Sequence, residues 1–134
     1  MAATLYSKTT RAIEVSVIPV YLDDESRPDD NHFFWAYQIT IANHSDRAVK
    51  LIERHWHIVD GAGRVEEVHG EGVVGEQPVI RPGDSYQYTS GCPLSTPHGI
   101  MSGQYTMQGA DGGLFPIDIP AFSLDRPDVA RVLN

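Results

Sequence analysis

The sequence predicts an all-β chain folded as an antiparallel β-sandwich of seven or eight strands, and three observations carry that prediction. Gly and Pro number 12 and 9 in 134 residues and fall as punctuation, so that past residue 60 hardly any window is long enough for a helix. Between Pro28 and Gly61 a helix would be permitted, yet apolar residues there stand at every second position, the period of a half-buried strand. Helical segments do not alternate with the strands, which disfavours a parallel α/β sheet.

The elements follow in order. Ile13, Val15 and Val17 alternate with Glu14 and Ser16 until Pro19 interrupts. Phe33, Trp35, Tyr37, Ile39 and Ile41 mark the next strand's inward face, and Phe34, opposite Trp35, is the aromatic expected outside. In residues 49–60, Ile52, Trp56 and Ile58 line one face. Asp60-Gly-Ala-Gly63 reads as a hairpin turn into Arg64-Val-Glu-Glu-Val-His69, its glycines free to take positive φ. Residues 85–90, 100–108 and 114–124 are β-branched or aromatic runs at intervals of about 10 residues, and they complete a sandwich. Residues 1–10 are expected to be a flexible N-terminus and residues 11–125 one domain. Residues 126–134 are expected to be a tail in which residues 128–133, after Pro127, make a short helical turn.

Composition excludes several classes. With 41% apolar and 21% charged residues the chain is neither disordered nor collagen-like, and no apolar run approaches the roughly 18 residues of a membrane helix. Lys and Arg number 10 against 18 Asp and Glu, a net charge of −8, which repels nucleic acid and anionic membranes at long range. Neither is expected as a partner. Cys92 is the sole cysteine and closes no internal disulfide, and the first eight residues hold no apolar core of signal-peptide length. The cytoplasm is therefore the expected location, which sets aside the Asn43-His-Ser45 glycosylation sequon.

Four features invite chemistry. Gly70-Glu-Gly72-Val-Val-Gly75 fits the G-x-G-x-x-G template of a phosphate loop, but Pro78 and Pro82 leave no room for the helix whose N-terminus would hold a phosphate. The competing expectation is a glycine loop that needs positive φ and close packing. His55 and His57, two apart on a strand, put both imidazoles on one face with Glu53, where a third ligand would complete a cation site. Nothing in the sequence supplies that ligand, and a solvated polar face is the alternative. The acidic stretch Asp23-Asp24-Glu25 with Asp29-Asp30 could hold Mg²⁺ through oxygens, but it matches no calcium-loop spacing. Cys92 with His98 is the sole thiol candidate for catalysis, and no Lys or Arg stands near Cys92 in sequence to activate it.

Arg54-His-Trp56, Val68-His-Gly70-Glu-Gly72-Val-Val-Gly75-Glu-Gln-Pro78, Pro82-Gly83, Tyr88-Thr-Ser90-Gly91, the stretch from Thr96-Pro97 to Tyr105-Thr-Met107, and Ile119-Pro120-Ala-Phe122 together resemble the ApaG family. Tyr37-Gln-Ile-Thr-Ile-Ala-Asn43 is similar to its second strand. The resemblance implies an immunoglobulin-like or fibronectin type III-like sandwich of seven to nine strands. It also implies an association with cobalt resistance and magnesium efflux, and a gene near that of a diadenosine tetraphosphate hydrolase. A similar module appended to an F-box protein and to a DNA-polymerase-interacting protein suggests protein binding. No catalytic residue or cofactor comes with the likeness, and Cys92 lies outside its motif. The expectation is a non-catalytic module that binds an unidentified protein partner or a second copy of itself. The alternative is a direct small-ligand binder, taking a divalent cation at His55, His57 and Glu53 or a nucleotide phosphate at Gly70, Gly72 and Gly75.

Overall fold

The computed structural model describes residues 4–127. Nine strands succeed one another: β1 Tyr6–Thr10, β2 Ile13–Tyr21, β3 Phe33–Asn43, β4 Val49–Asp60, β5 Val65–Glu71, β6 Val79–Ile80, β7 Ser85–Leu94, β8 His98–Gln108 and β9 Leu114–Asp125. One antiparallel sheet has the order β1-β2-β3-β7, and the other β5-β4-β8-β9 with β6 beside β4. The chain changes sheet between β3 and β4, returns between β6 and β7, and crosses again between β7 and β8, as in an immunoglobulin-like or fibronectin type III-like sandwich. Among the described residues the only helical segments are single 3₁₀ turns at Asp23–Glu25 and Pro28–Asp30.

Period-2 alternation places the core as expected. Ile13, Val15 and Val17 of β2, and Phe33, Trp35, Tyr37, Ile39 and Ile41 of β3, are all buried against Trp56, Met101, Tyr105, Met107, Ile117 and Phe122 of the other sheet. Phe34 points the other way and lays its ring over Gly91 of β7, where an added Cβ would lie 2.5 Å from its Cζ. Trp35 donates its indole N–H to the Asp125 carbonyl at 3.1 Å, so a core side chain pins the end of β9. Asn43 is fully buried and satisfied. Its amide N–H groups donate to Arg47 O and Ile80 O, and its Oδ1 accepts from the Ser45 backbone N–H and hydroxyl. The sequon's asparagine is thus consumed as structural glue.

Three expectations are corrected. Residues 6–10 do not belong to a flexible end: they form β1, because Tyr6 packs on Phe122 and Lys8 pairs with Asp118 of β9 at 3.0 Å. Pro19 does not end β2, since β1 begins opposite Val17 and, among the described residues, no strand pairs with that flank of β2 beyond it. Ile52 does not share the inward face of Trp56 and Ile58. A β-bulge between Leu51 and Glu53 shifts the register there, so Leu51 is buried and Ile52 is half-buried. Among the described residues the strands number nine, within the expected seven to nine; alternation alone counts seven or eight because it marks neither β1 nor the two-residue β6. The helical turn expected at residues 128–133 lies outside the described residues.

The two long sides of the sandwich differ. On one, β1 and β9 are stitched together by the Lys8–Asp118 pair, by the Asp118 N–H donating to Thr10 Oγ1 at 3.1 Å, and by the Ser123 N–H reaching Tyr6 Oη at 3.4 Å. On the other, β5 and β7 face each other across a cleft.

Candidate functional site

The β4–β5 hairpin builds both surfaces of interest. Asp60 Oδ1 accepts the N–H groups of Ala62 and Arg64, each at 2.9 Å, and Gly63 takes φ +84°. That is the turn chemistry expected of Asp60-Gly-Ala-Gly63. The turn fixes the pairing: His57 opposite Glu67, His55 opposite His69, Arg54 opposite Gly70 and Glu53 opposite Glu71. Alternation then sends Arg54, Trp56, Glu66 and Val68 toward the cleft, and Glu53, His55, His57, Glu67, His69 and Glu71 outward.

The cleft between β5 and β7 encloses about 350 Å³. Tyr37, Trp56, Tyr88 and Met101 form its floor, Arg54, Glu66 and Ser90 supply polar groups, and Val74 and Pro93 stand among its walls. The glycine loop forms its rim. The Arg54 guanidinium lies flat against Gly70, where an added Cβ would come within 2.6 Å of Cζ, and donates to Glu71 O at 3.1 Å and Gly72 O at 2.8 Å. Gly72 takes φ +62°, and an added Cβ there would also collide with the Glu76 carbonyl, so the position calls for glycine twice over. Val73 and Glu76 exchange both backbone hydrogen bonds around Val74 (φ 44°) and Gly75 (φ 82°), a two-residue type I′ turn. The N–H groups of Gly72, Val73 and Glu76 are thereby spent on carbonyls, and no helix follows. Gly70, Gly72 and Gly75 thus meet the needs of a tight turn and of the arginine packed beneath it.

Cys92 and His98 are kept apart. Cys92 is buried in the cleft wall, where desolvation pushes its thiol up to about 11, while His98 pairs with Asp125 on the surface at 3.0 Å. Burial likewise raises Tyr37 and Tyr88, and raises Tyr105 well above its ordinary value. Tyr88 and Tyr105 share a hydrogen bond of 2.5 Å between their hydroxyls, from opposite sheets.

On the outward face His55, His57 and Glu53 do share one side of β4, but they are not brought together as ligands. The ligand atoms that converge are those of His55, Glu67 and His69, all within 4.8 Å of one another. The two imidazoles stack with centroids 4.0 Å apart at 13°, and His55 Nε2 lies 2.7 Å from Glu67 Oε1. That hydrogen bond holds the Glu67 carboxyl below its usual range, with the charges of His55, His57 and His69 adding to the effect. Sequence reasoning missed Glu67 and His69. The signal was present, because the Asp60–Gly63 turn fixes the register that sets His69 beside His55. Arg54 carries no local pattern that marks its role. The acidic residues 23–25 and 29–30 are exposed on the 3₁₀ turns and form no metal-ligating group among the described residues.

Comparison with known proteins bears on what this arrangement serves. The family model described as the ApaG domain matches residues 23–109. The chain is 62% identical over 130 residues to Protein ApaG of Mesorhizobium japonicum, and 62% identical to Protein ApaG of Paramagnetospirillum magneticum. Both alignments cover 97% of this chain and all of the relative. A crystal structure of a putative ApaA protein from Bordetella pertussis superposes with a TM-score of 0.84 at 44% identity, covering 87% of this chain and 95% of that one.

Proposed function

This chain belongs to the ApaG domain family, and on that premise we propose that it is a non-catalytic module which binds a protein partner along β5 and the cleft beside it. The observation that carries the reading is that, among the described residues, β5 ends its sheet with no strand on its outer edge, directly next to a cleft of about 350 Å³. An extended segment added to β5 would gain main-chain hydrogen bonds and could drop a side chain between Trp56 and Tyr88, the usual division between affinity and specificity in strand addition. Val65, on β5 itself, and Val74, on the cleft wall, are large apolar side chains left more than half exposed. Glu66, Glu67 and Glu71 guard it against indiscriminate pairing. A non-catalytic role is supported by Cys92, whose buried thiol sits too high to be a nucleophile near neutrality. The net charge of −8 argues against nucleic acid, and among the described residues no helix is long and apolar enough to cross a membrane. We read the location as cytoplasmic, and the cobalt and magnesium association of the family as exerted through the partner.

The test is affinity capture from a bacterial lysate with the wild type and with Val65→Lys and Val74→Lys, alongside sedimentation of the purified chain to register self-association. The reading expects a partner enriched by the wild type and depleted at least about tenfold by either lysine, since a charge buried at an interface core costs well over 1.4 kcal/mol. A partner retained equally by both variants would remove the surface, and no saturable partner would remove the function.

A further inference from the structure

We propose that the outward face of the β4–β5 hairpin is a site for a borderline divalent transition-metal ion, bound by His55 and His69 across the strands with Glu67 as the third ligand. The site faces away from the inter-sheet cleft and goes beyond the partner-binding reading. Its geometry follows from register. His55 and His69 are directly opposed on antiparallel strands, where Cβ atoms stand about 4.5–5.5 Å apart, a separation two imidazoles can bridge through one ion. Bonds of about 2.0–2.1 Å to nitrogen and to carboxylate oxygen require donors roughly 3–4 Å apart. The three ligand atoms already lie within 4.8 Å of one another on half-exposed or exposed side chains, so side-chain rotations that unstack the two rings would close the set.

Chemistry selects the ion. Two imidazoles and one carboxylate suit Zn²⁺, Ni²⁺ or Cu²⁺, whereas Mg²⁺ prefers oxygen ligands in octahedral array. His55 Nε2 and Glu67 Oε1 lie 2.7 Å apart across a hydrogen bond, and the ion would take the place of the proton between the same two atoms. The neighbouring outward side chains on these two strands are Glu53 and Glu71 on one flank and His57 on the other, and the two carboxylates favour a cation. His57 lies opposite Glu67 but outside the converging group.

Calorimetric titration of the untagged chain with ZnCl₂ tests the site, with MgCl₂ as the counter-ion control and circular dichroism to verify that each variant is folded. The expected result is one Zn²⁺ per chain, weakened at least about tenfold in His55→Ala and in His69→Ala, as befits loss of a direct ligand, and within about twofold of wild type in His57→Ala. Zn²⁺ should raise the melting temperature of the wild type and leave that of His69→Ala unchanged. No saturable Zn²⁺ binding would overturn the proposal. So would an affinity unmoved by His69→Ala, or one lowered as much by His57→Ala as by His69→Ala.

Discussion

Val74 holds a backbone conformation that a β-branched residue rarely adopts, φ 44° at the first central position of a type I′ turn, with its side chain largely exposed. Such strain costs on the order of 1–3 kcal/mol, and asparagine or glycine tolerates the position. Val74→Asn should therefore raise the melting temperature by a few degrees, corresponding to about 1 kcal/mol. If Val74 is also retained to meet a partner, the stabilised variant will bind it less well. Asn43 presents the opposite case. Removing its amide leaves the carbonyls of Arg47 and Ile80 without their donor, one of those bonds fully buried. Asn43→Ala should cost about 2–4 kcal/mol in denaturant unfolding.

Between elements, Gly70 and Arg54 form a coupled pair across β4 and β5. Gly70→Ala should push the guanidinium off the carbonyls of Glu71 and Gly72, at a cost of about 1 kcal/mol, and should be nearly silent in an Arg54→Ala background. A double-mutant cycle by thermal melting reads this directly, and equal costs in both backgrounds would show that Gly70 matters for another reason. The strands whose inward faces alternate cleanly, β2 and β3, were legible in the sequence because burial on one face leaves a period of two. What escaped has physical causes. The bulge at Ile52 moves the inward face of β4 by one residue without any local marker, and β1 is held by tertiary contacts to β9 that polar residues 7–10 do not announce. Strand β6 is two residues long, below the length at which periodicity exists. The converging histidines were half legible: parity gave the face of His55, and only the pairing across the Asp60 turn gave His69.

At the scale of the whole molecule, stability should fall at both ends of the pH range. Hydrogen bonds from His55 to Glu67, from His44 to Glu14 and from Gln104 to Asp118 depress these carboxyls in the fold. Their contributions are present above the unfolded carboxyl range and fade as pH drops below about 4. At the other end the Cys92 thiol is raised from 9.0 to about 11. Its contribution, roughly 2–3 kcal/mol by linkage, is complete below pH 9 and lost by about pH 11, with the buried tyrosines steepening the fall beyond pH 10. Cys92→Val should flatten the slope of melting temperature between pH 9 and 11 while leaving the acid limb intact. The unequal sides of the sandwich carry a further consequence, for motion. With β1 and β9 stitched and β5 facing β7 only across a cleft, opening fluctuations should begin at β5 and travel inward through β4, leaving the β1–β9 seam shut. Deuterium would then enter the amides of residues 65–71 well before those of β9, and the molecule would breathe like a clam hinged on its Lys8–Asp118 side.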